Sequence, residues 1–102
     1  MSSINELESV NLFCEKNPSF RKGGLRWQIF NEDTNGLKDL GAVVRIGRSV
    51  YINPPRYFLW VELQNTGELD AVRRLMRESK ARGKHIPPED IVAQMRGEGA
   101  LA

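Results

Sequence analysis

Residues 42–62, AVVRIGRSVYINPPRYFLWVE, carry the clearest local pattern in the chain. Apolar β-branched residues occupy alternate positions on both sides of the turn Gly47-Arg48-Ser49. Alternation with a period of two around a glycine-containing turn predicts a β-hairpin. Asn53 can then cap a helix whose first residue is Pro54, because a helix does not need the N–H of that residue. The stretch therefore predicts strand, basic turn, strand and helix in that order.

Two short helices are predicted before the hairpin, at residues 10–16 and 21–31. Pro18 separates them, since the residue before a proline avoids the α region. In the second helix Leu25 and Ile29 share a face that Phe30 extends. Two helices joined by a tight turn form a helix-turn-helix candidate, and a small basic hairpin beside it is typical of a wing.

The expected fold is therefore a small α+β winged helix-turn-helix with a two-stranded hairpin and a C-terminal helical extension. We expect residues 1–9 to be a flexible arm, residues 10–64 to be the winged domain and residues 65–102 to be the extension. Residues 32–41, EDTNGLKDLG, are predicted to be a turn-rich connection. The helix at 54–63 is apolar almost all round, so it is expected to be buried or to cover a partner.

The extension is predicted to contain helices at residues 68–81 and 88–95. The first has an apolar stripe at helical spacing, and much of its remaining surface is basic. The stripe consists of Leu69, Val72, Leu75 and Met76. It packs either on its own domain or on a partner or second copy, and the sequence leaves both open.

Charge and composition restrict the class of protein. The chain of 102 residues has a net charge of +2, but residues 21–60 hold seven Arg or Lys against three Asp or Glu. A local positive field of this kind favours phosphate binding. Cys14 is the only cysteine, which excludes an internal disulfide and fits a reducing compartment. No signal peptide or membrane-length apolar run is present, so we expect a cytoplasmic protein.

Catalysis is not expected. His85, the single histidine, lies in a basic break without a carboxylate, serine or cysteine motif around it. Cys14 lies on an apolar helix face and is expected to pack in the core. Because metal and nucleotide motifs are also missing from the sequence, we predict no catalytic residues, metal ligands, cofactor or small-molecule substrate.

Double-stranded DNA is the predicted ligand. Arginine and lysine hold phosphates, whereas arginine and glutamine pair with the edges of guanine and adenine in the major groove. The second helix and the hairpin supply the candidate residues, which are Arg21, Lys22, Gly24, Arg26, Trp27, Gln28, Arg45, Arg48 and Ser49. Trp27 is equally compatible with a packing role, and Gln28 with a solvated position. Gly24 fits a place where another backbone approaches closely.

The order of these elements resembles the excisionase-like, MerR-type winged-helix proteins of phages and integrative elements. The resemblance covers roughly residues 10–63 and rests on LRWQIFN at 25–31, VVRIGRSVYI at 43–52 and PPRYFLWVE at 54–62. It implies a protein that binds and bends DNA for an integrase, or a regulator of the genes of a mobile element. It also implies an integrase or recombinase, or self-association through residues 68–95, as further contacts.

Two other functions compete with this prediction. In the first, the protein is an interaction module whose C-terminal helices bind a partner, and the basic residues only maintain solubility. In the second, it binds single-stranded nucleic acid with Trp27 and Tyr51 as stacking platforms. The salt dependence of DNA binding separates the first alternative from a DNA-binding protein.

Overall fold

The structure, a computed structural model, describes residues 7–97. Over this range the chain is a small mixed α+β domain with seven helices and one three-stranded antiparallel sheet. The helices are α1 (Val10–Lys16), α2 (Lys22–Phe30), α3 (Glu32–Asn35), α4 (Leu37–Leu40), α5 (Pro54–Thr66), α6 (Leu69–Ala81) and α7 (Pro88–Met95). The strands are β1 (Glu8–Ser9), β2 (Val43–Ile46) and β3 (Ser49–Ile52).

The predicted hairpin is present, but the sheet has a third strand. β2 and β3 pair antiparallel, and Gly47 in the turn has a φ of 60°, which glycine adopts without strain. β1 pairs with the other edge of β3, so β3 lies in the centre of the sheet. The sheet was expected to consist of the two hairpin strands alone, and it has a third. Residues 8 and 9, expected to belong to a flexible arm, form that strand. The sequence did not indicate it because a strand of two residues is too short to produce a pattern. Residues 1–6 of that arm lie outside the described range.

The segment predicted to be a turn-rich connection is part of the core. It forms α3 and α4, two helices of four residues each, which are separated by Gly36 with a φ of 96°. Leu37 and Leu40 have no solvent exposure, and neither has Ala42, which follows directly. One-turn helices escape prediction by periodicity because they contain too few residues to repeat it.

Helix α5 joins the hairpin to the helices. It begins as predicted, with the Asn53 side chain accepting a hydrogen bond from the Arg56 N–H at 3.3 Å, but it continues three residues beyond the expected end. Its residues Tyr57, Trp60 and Leu63 are buried. The Tyr57 ring lies 5.2 Å from that of Phe13 and 5.5 Å from that of Phe20, measured between centroids, so aromatic packing fixes α1 and the following turn on α5.

The C-terminal helices share this core. Val72 of α6 has no solvent exposure, and Ile91 and Val92 of α7 are buried. The other residues of the α6 stripe pack against the same hydrophobic cluster. The stripe thus packs on its own chain, the first of the two alternatives. Packing is continuous across the expected boundary at residue 65, so the extension is part of the same hydrophobic core. Residues 98–102 lie outside the described range.

We predict that the two halves of the chain unfold as one unit. Ile91→Ala should lower the free energy of unfolding by about 2–5 kcal/mol, because it leaves a cavity in the shared core. Unfolding in denaturant is to be followed by tryptophan fluorescence, since both tryptophans precede residue 65. Met95→Ala, on the same helix but 37% exposed, is the control and should have a markedly smaller effect. An unchanged fluorescence midpoint in Ile91→Ala would contradict a common core.

Candidate nucleic-acid interface

The C-terminal end of α2 is bonded to the segment that follows it. Asn31 donates its side-chain amide to the Trp27 carbonyl at 2.9 Å, and Asn35 donates to the Gln28 carbonyl at 2.8 Å. The side-chain oxygen of Asn35 accepts a hydrogen bond of 3.0 Å from the Leu37 N–H. Its backbone carbonyl accepts one of 2.7 Å from Trp60 Nε1. These bonds satisfy carbonyls that a helix end leaves without partners, and they fix the position of α2 on α5.

Gln28 faces the interior of the domain. Its Oε1 accepts a hydrogen bond of 2.7 Å from the Tyr57 hydroxyl, and its side chain is half-buried. Burial raises the pKa of the Tyr57 phenol. The predicted base contact by Gln28 is therefore not supported by its position, because its acceptor already has an internal partner.

The N-terminal end of α2 is open to solvent. Arg21 occupies the N-cap position, but its side chain makes no capping bond. Gly23 and Gly24 are exposed, have ordinary helical conformations, and would each admit a Cβ with no heavy atom within 4 Å. Neither internal packing nor a left-handed backbone explains glycine at these positions, although each glycine lowers the stability of a helix.

An aromatic and basic face runs along α2. Trp27 is 68% exposed and Phe30 84% exposed, and they lie three residues apart, which places them side by side on a helix. Lys22, Arg26 and Phe30 follow one another at intervals of four along the same surface. The expected burial of Phe30 beside Ile29 is wrong. Phe30 is instead the functional candidate that sequence reasoning missed, and its spacing from Trp27 was the available signal.

The hairpin presents all three of its predicted residues to solvent. Arg48 and Ser49 are exposed at the turn, and Arg45 is exposed on β2. Arg45 is also paired with Glu32, a buried carboxylate of α3, through an Nε–Oε2 contact of 3.0 Å. This ion pair fixes β2 on the segment after α2, so Arg45 helps to set the orientation of the hairpin.

Helix α2 and the hairpin lie on either side of one cavity. Arg26 and Ile29 of α2, Val50 of β3 and residues 9–11 line it, and its volume is about 280 Å³. The structure thus brings Arg26 next to the strand that carries Arg48 and Ser49 at its start. The predicted helix residues and the predicted hairpin residues belong to neighbouring surfaces.

Ion pairs divide the cations of this half of the chain into two sets. Lys38, Arg45 and Arg56 each lie within 4.0 Å of a carboxylate, on Asp33, Glu32 and Glu89 respectively. Within residues 7–97, the cations of the 21–60 segment that have no carboxylate partner are Arg21, Lys22, Arg26 and Arg48. All four belong to the predicted DNA-binding set, so the uncompensated charge of this segment is concentrated on α2 and the hairpin turn.

Other site types receive no support in the part of the chain that the structure describes. Cys14 is buried, as predicted, and His85 is exposed. Between residues 7 and 97 no three His, Cys, Asp or Glu side chains are grouped as metal ligands would be. None of the helices in this range is both long enough and apolar enough to cross a membrane.

Comparisons with protein-family models, with curated proteins and with solved structures gave no match to this chain. The geometry described above is therefore the basis for a proposed function.

We predict that Gln28 stabilises the fold and does not read bases. Gln28→Ala should lower the free energy of unfolding by about 1–3 kcal/mol, because the buried Tyr57 hydroxyl loses its acceptor. Tyr57→Phe should cost less on its own, and the two changes together should be non-additive by at least about 0.5 kcal/mol. Thermal unfolding of the two single variants and the double variant measures this. If Gln28→Ala leaves stability unchanged and weakens duplex binding tenfold, Gln28 contacts DNA instead.

Proposed function

We propose that the protein binds double-stranded DNA as a winged helix-turn-helix, with α2 in the major groove and the β2–β3 hairpin as the wing. The observation that carries the proposal is a set of cations on two neighbouring surfaces, Arg21, Lys22, Arg26 and Arg48, that have no carboxylate partner among residues 7–97. α2 contains no acidic residue that would repel a phosphate backbone.

The start of α2 is suited to a phosphate. Its first N–H groups have no side-chain cap, and the positive end of the helix dipole favours an anion there. Arg21 and Lys22 add two charges at the same place. Gly23 and Gly24 leave the helix surface without side chains, so a sugar-phosphate backbone can approach these amides closely. In this arrangement the helix start sets the register of α2 on the duplex.

The middle of α2 then faces the bases. Arg26 has the length and planar donor geometry to pair with guanine, the commonest specific contact in the major groove. Trp27 and Phe30 supply apolar contacts to thymine methyl groups or sugars. Exposure of two large aromatic side chains on one helix is costly in water, and a binding surface accounts for it.

The wing contacts the flanking backbone or the minor groove. Arg48 lies at the turn beside Ser49, where it can reach phosphates or enter a narrow minor groove. Arg45 was expected to contact DNA directly. In this proposal its role is to orient the wing, because its bond to Glu32 holds the hairpin at a fixed angle to α2. Arg48 and Ser49 are thus the direct contacts, and Arg45 positions them.

The biological setting that fits the sequence resemblance is an excisionase-like architectural factor, or a regulator of a mobile element. A protein partner on α2 is the second candidate, and the exposed Trp27 and Phe30 favour it. In the alternative function, a protein partner binds the C-terminal helices, and it would have to use a surface other than the apolar stripe, because that stripe packs in the core. An integrase or a second copy of the chain would then contact the outer, polar surface of residues 68–95.

Arg48→Ala should reduce the slope of log affinity against log salt concentration by about one for duplex DNA, since one phosphate contact is lost. The measurement is fluorescence anisotropy of a labelled mixed-sequence duplex at several salt concentrations. Arg74→Ala, which removes the same charge from an exposed position on α6, is the control and should leave the slope unchanged. Equal slopes in the parent and Arg48→Ala would exclude the wing contact, and no salt dependence at all would favour a protein partner.

Gly24→Ala should separate stability from binding. The added methyl meets no protein atom, so the variant should be more stable by about 0.5–1 kcal/mol. Its duplex affinity should nevertheless fall, because the methyl stands between the helix start and the backbone of the DNA. Thermal unfolding and anisotropy on the same preparation test both effects. A variant that is more stable and binds as tightly as the parent would mean that DNA does not approach α2 at this end.

A further inference from the structure

A second cluster of cations surrounds a cavity on another part of the molecule. The cavity has a volume of about 280 Å³ and lies between the end of α4, the start of α5 and the connection from α6 to α7. Its basic lining consists of Lys38, Arg56, Arg77, Lys80, Lys84 and His85. These residues come from three separate parts of the sequence, on α4, on α5 and between residues 77 and 85, and the packing of α6 and α7 on the core brings them together.

The turn after α6 places two of these lysines at one helix end. Gly83 has a φ of 80°, its N–H donates to the Lys80 carbonyl, and the Lys84 N–H donates back to the Ser79 carbonyl at 2.9 Å. This pair of bonds is a Schellman motif, which reverses the chain at a helix end. Lys84 is thereby returned towards Lys80, and both line the same cavity.

Carboxylates compensate only part of the charge. Asp39 is the single acidic residue of the lining, and it is bound by Arg73 at 2.8 Å and by Arg77 at 3.3 Å. Arg56 pairs with Glu89 outside the cavity at 3.0 Å. Over the described range, Lys80 and Lys84 have no carboxylate within 4.0 Å. Two full charges therefore stay uncompensated, which matches the charge of a phosphate monoester at neutral pH.

The remaining wall is apolar or backbone. Leu40, Met76, Ile86 and Pro88 contribute to it, so the cavity offers a surface for an organic group beside the cations. Gly41 is favoured here because its φ is 73°, and a Cβ on it would also lie 2.7 Å from Arg56 Nη1. The glycine thus leaves room for the Arg56 guanidinium at the cavity wall.

We propose that this cavity binds the phosphate group of a phosphomonoester, with Lys80 and Lys84 as the principal cationic contacts and Arg56 as a further donor. The volume is at the lower end of the range for ligand pockets, which fits one phosphate and a small organic body. A free mononucleotide carries such a group, whereas the backbone of a nucleic acid offers phosphodiesters with one charge each. The proposal does not require that α2 bind DNA.

The test uses the full chain and two probes, inorganic phosphate and adenosine monophosphate, at constant ionic strength set with sodium chloride. Amide chemical shifts report where each probe binds, and their dependence on concentration gives the Kd. We expect the largest shifts at Gly41, Lys84 and Ile86. The double variant Lys80→Gln/Lys84→Gln should raise the Kd at least about tenfold, because it removes the two principal charged hydrogen bonds to the phosphate.

The control is Arg74→Gln/Arg82→Gln, which removes two charges from exposed positions on or next to α6 that do not line the cavity. It should change the Kd less than twofold. Equal weakening in both double variants would mean general attraction to a basic surface and would overturn the proposal. The same holds if neither probe, nor a DNA duplex, shifts the cavity amides.

A DNA duplex distinguishes the two sources of phosphate. If adenosine monophosphate binds and the duplex leaves the cavity amides unchanged, the ligand is a free phosphomonoester. If only the duplex shifts these amides, and the Lys80→Gln/Lys84→Gln variant lowers its salt slope by about two, the cavity binds backbone phosphodiesters and the phosphomonoester proposal is overturned. Loss of the wing contact by Arg48→Ala would leave phosphate binding in the cavity intact, so the two proposals fail independently.

Discussion

Asn35 is the residue on which the position of α2 depends. Its side chain bonds to the Gln28 carbonyl and to the Leu37 N–H, and its backbone carbonyl accepts from Trp60 Nε1. One residue therefore joins the end of α2, the start of α4 and the buried face of α5. Because Trp60 is nearly buried, its indole N–H needs an acceptor inside the protein, and Asn35 supplies it. The bond also explains why the short helices α3 and α4 are held in the core.

Because Asn35 bonds to only one end of α2, the two ends of this helix differ in how their backbone groups are satisfied. At the C-terminal end, side chains of Asn31 and Asn35 and the Gln28–Tyr57 bond satisfy the helix internally. At the N-terminal end there is no capping side chain and there are two glycines that nothing inside the protein requires. A helix held at one end and open at the other can present its open end to a ligand without losing its orientation. The local loss of stability at Gly23 and Gly24 is tolerable because the opposite end is fixed by the core.

The sequence predicted those parts that have their own local pattern. The hairpin, the Asn53 cap and the last helix at Pro88–Met95 are all present, since alternation, a capping residue and an N-terminal proline each act over a few residues. The missed features depend on contacts distant in sequence. Strand β1 forms by pairing with the second edge of β3. Phe30 is exposed because Leu25 and Ile29 already fill the contact of α2 with the core. The Gln28 side chain bonds to Tyr57, which lies 29 positions away in the sequence. The boundary expected at residue 65 was misleading because the break at Gly67 ends a helix and not a domain.

Long-range ion pairs also decide where charge is available, which a net charge does not reveal. In the described part of the chain, several carboxylates form ion pairs with cations and so hold elements together. They are Glu32, Asp33, Asp39 and Glu89. The positive charge that remains falls into two groups, one on α2 and the hairpin turn, the other on α6 and the connection after it. The first group is Arg21, Lys22, Arg26 and Arg48, and the second is Arg74, Lys80, Arg82 and Lys84. A net charge of +2 therefore conceals two separate groups of positive charge in the described part of the chain. Because ion pairs between elements neutralise some cations and leave others, the fold as well as the composition determines where positive charge is available.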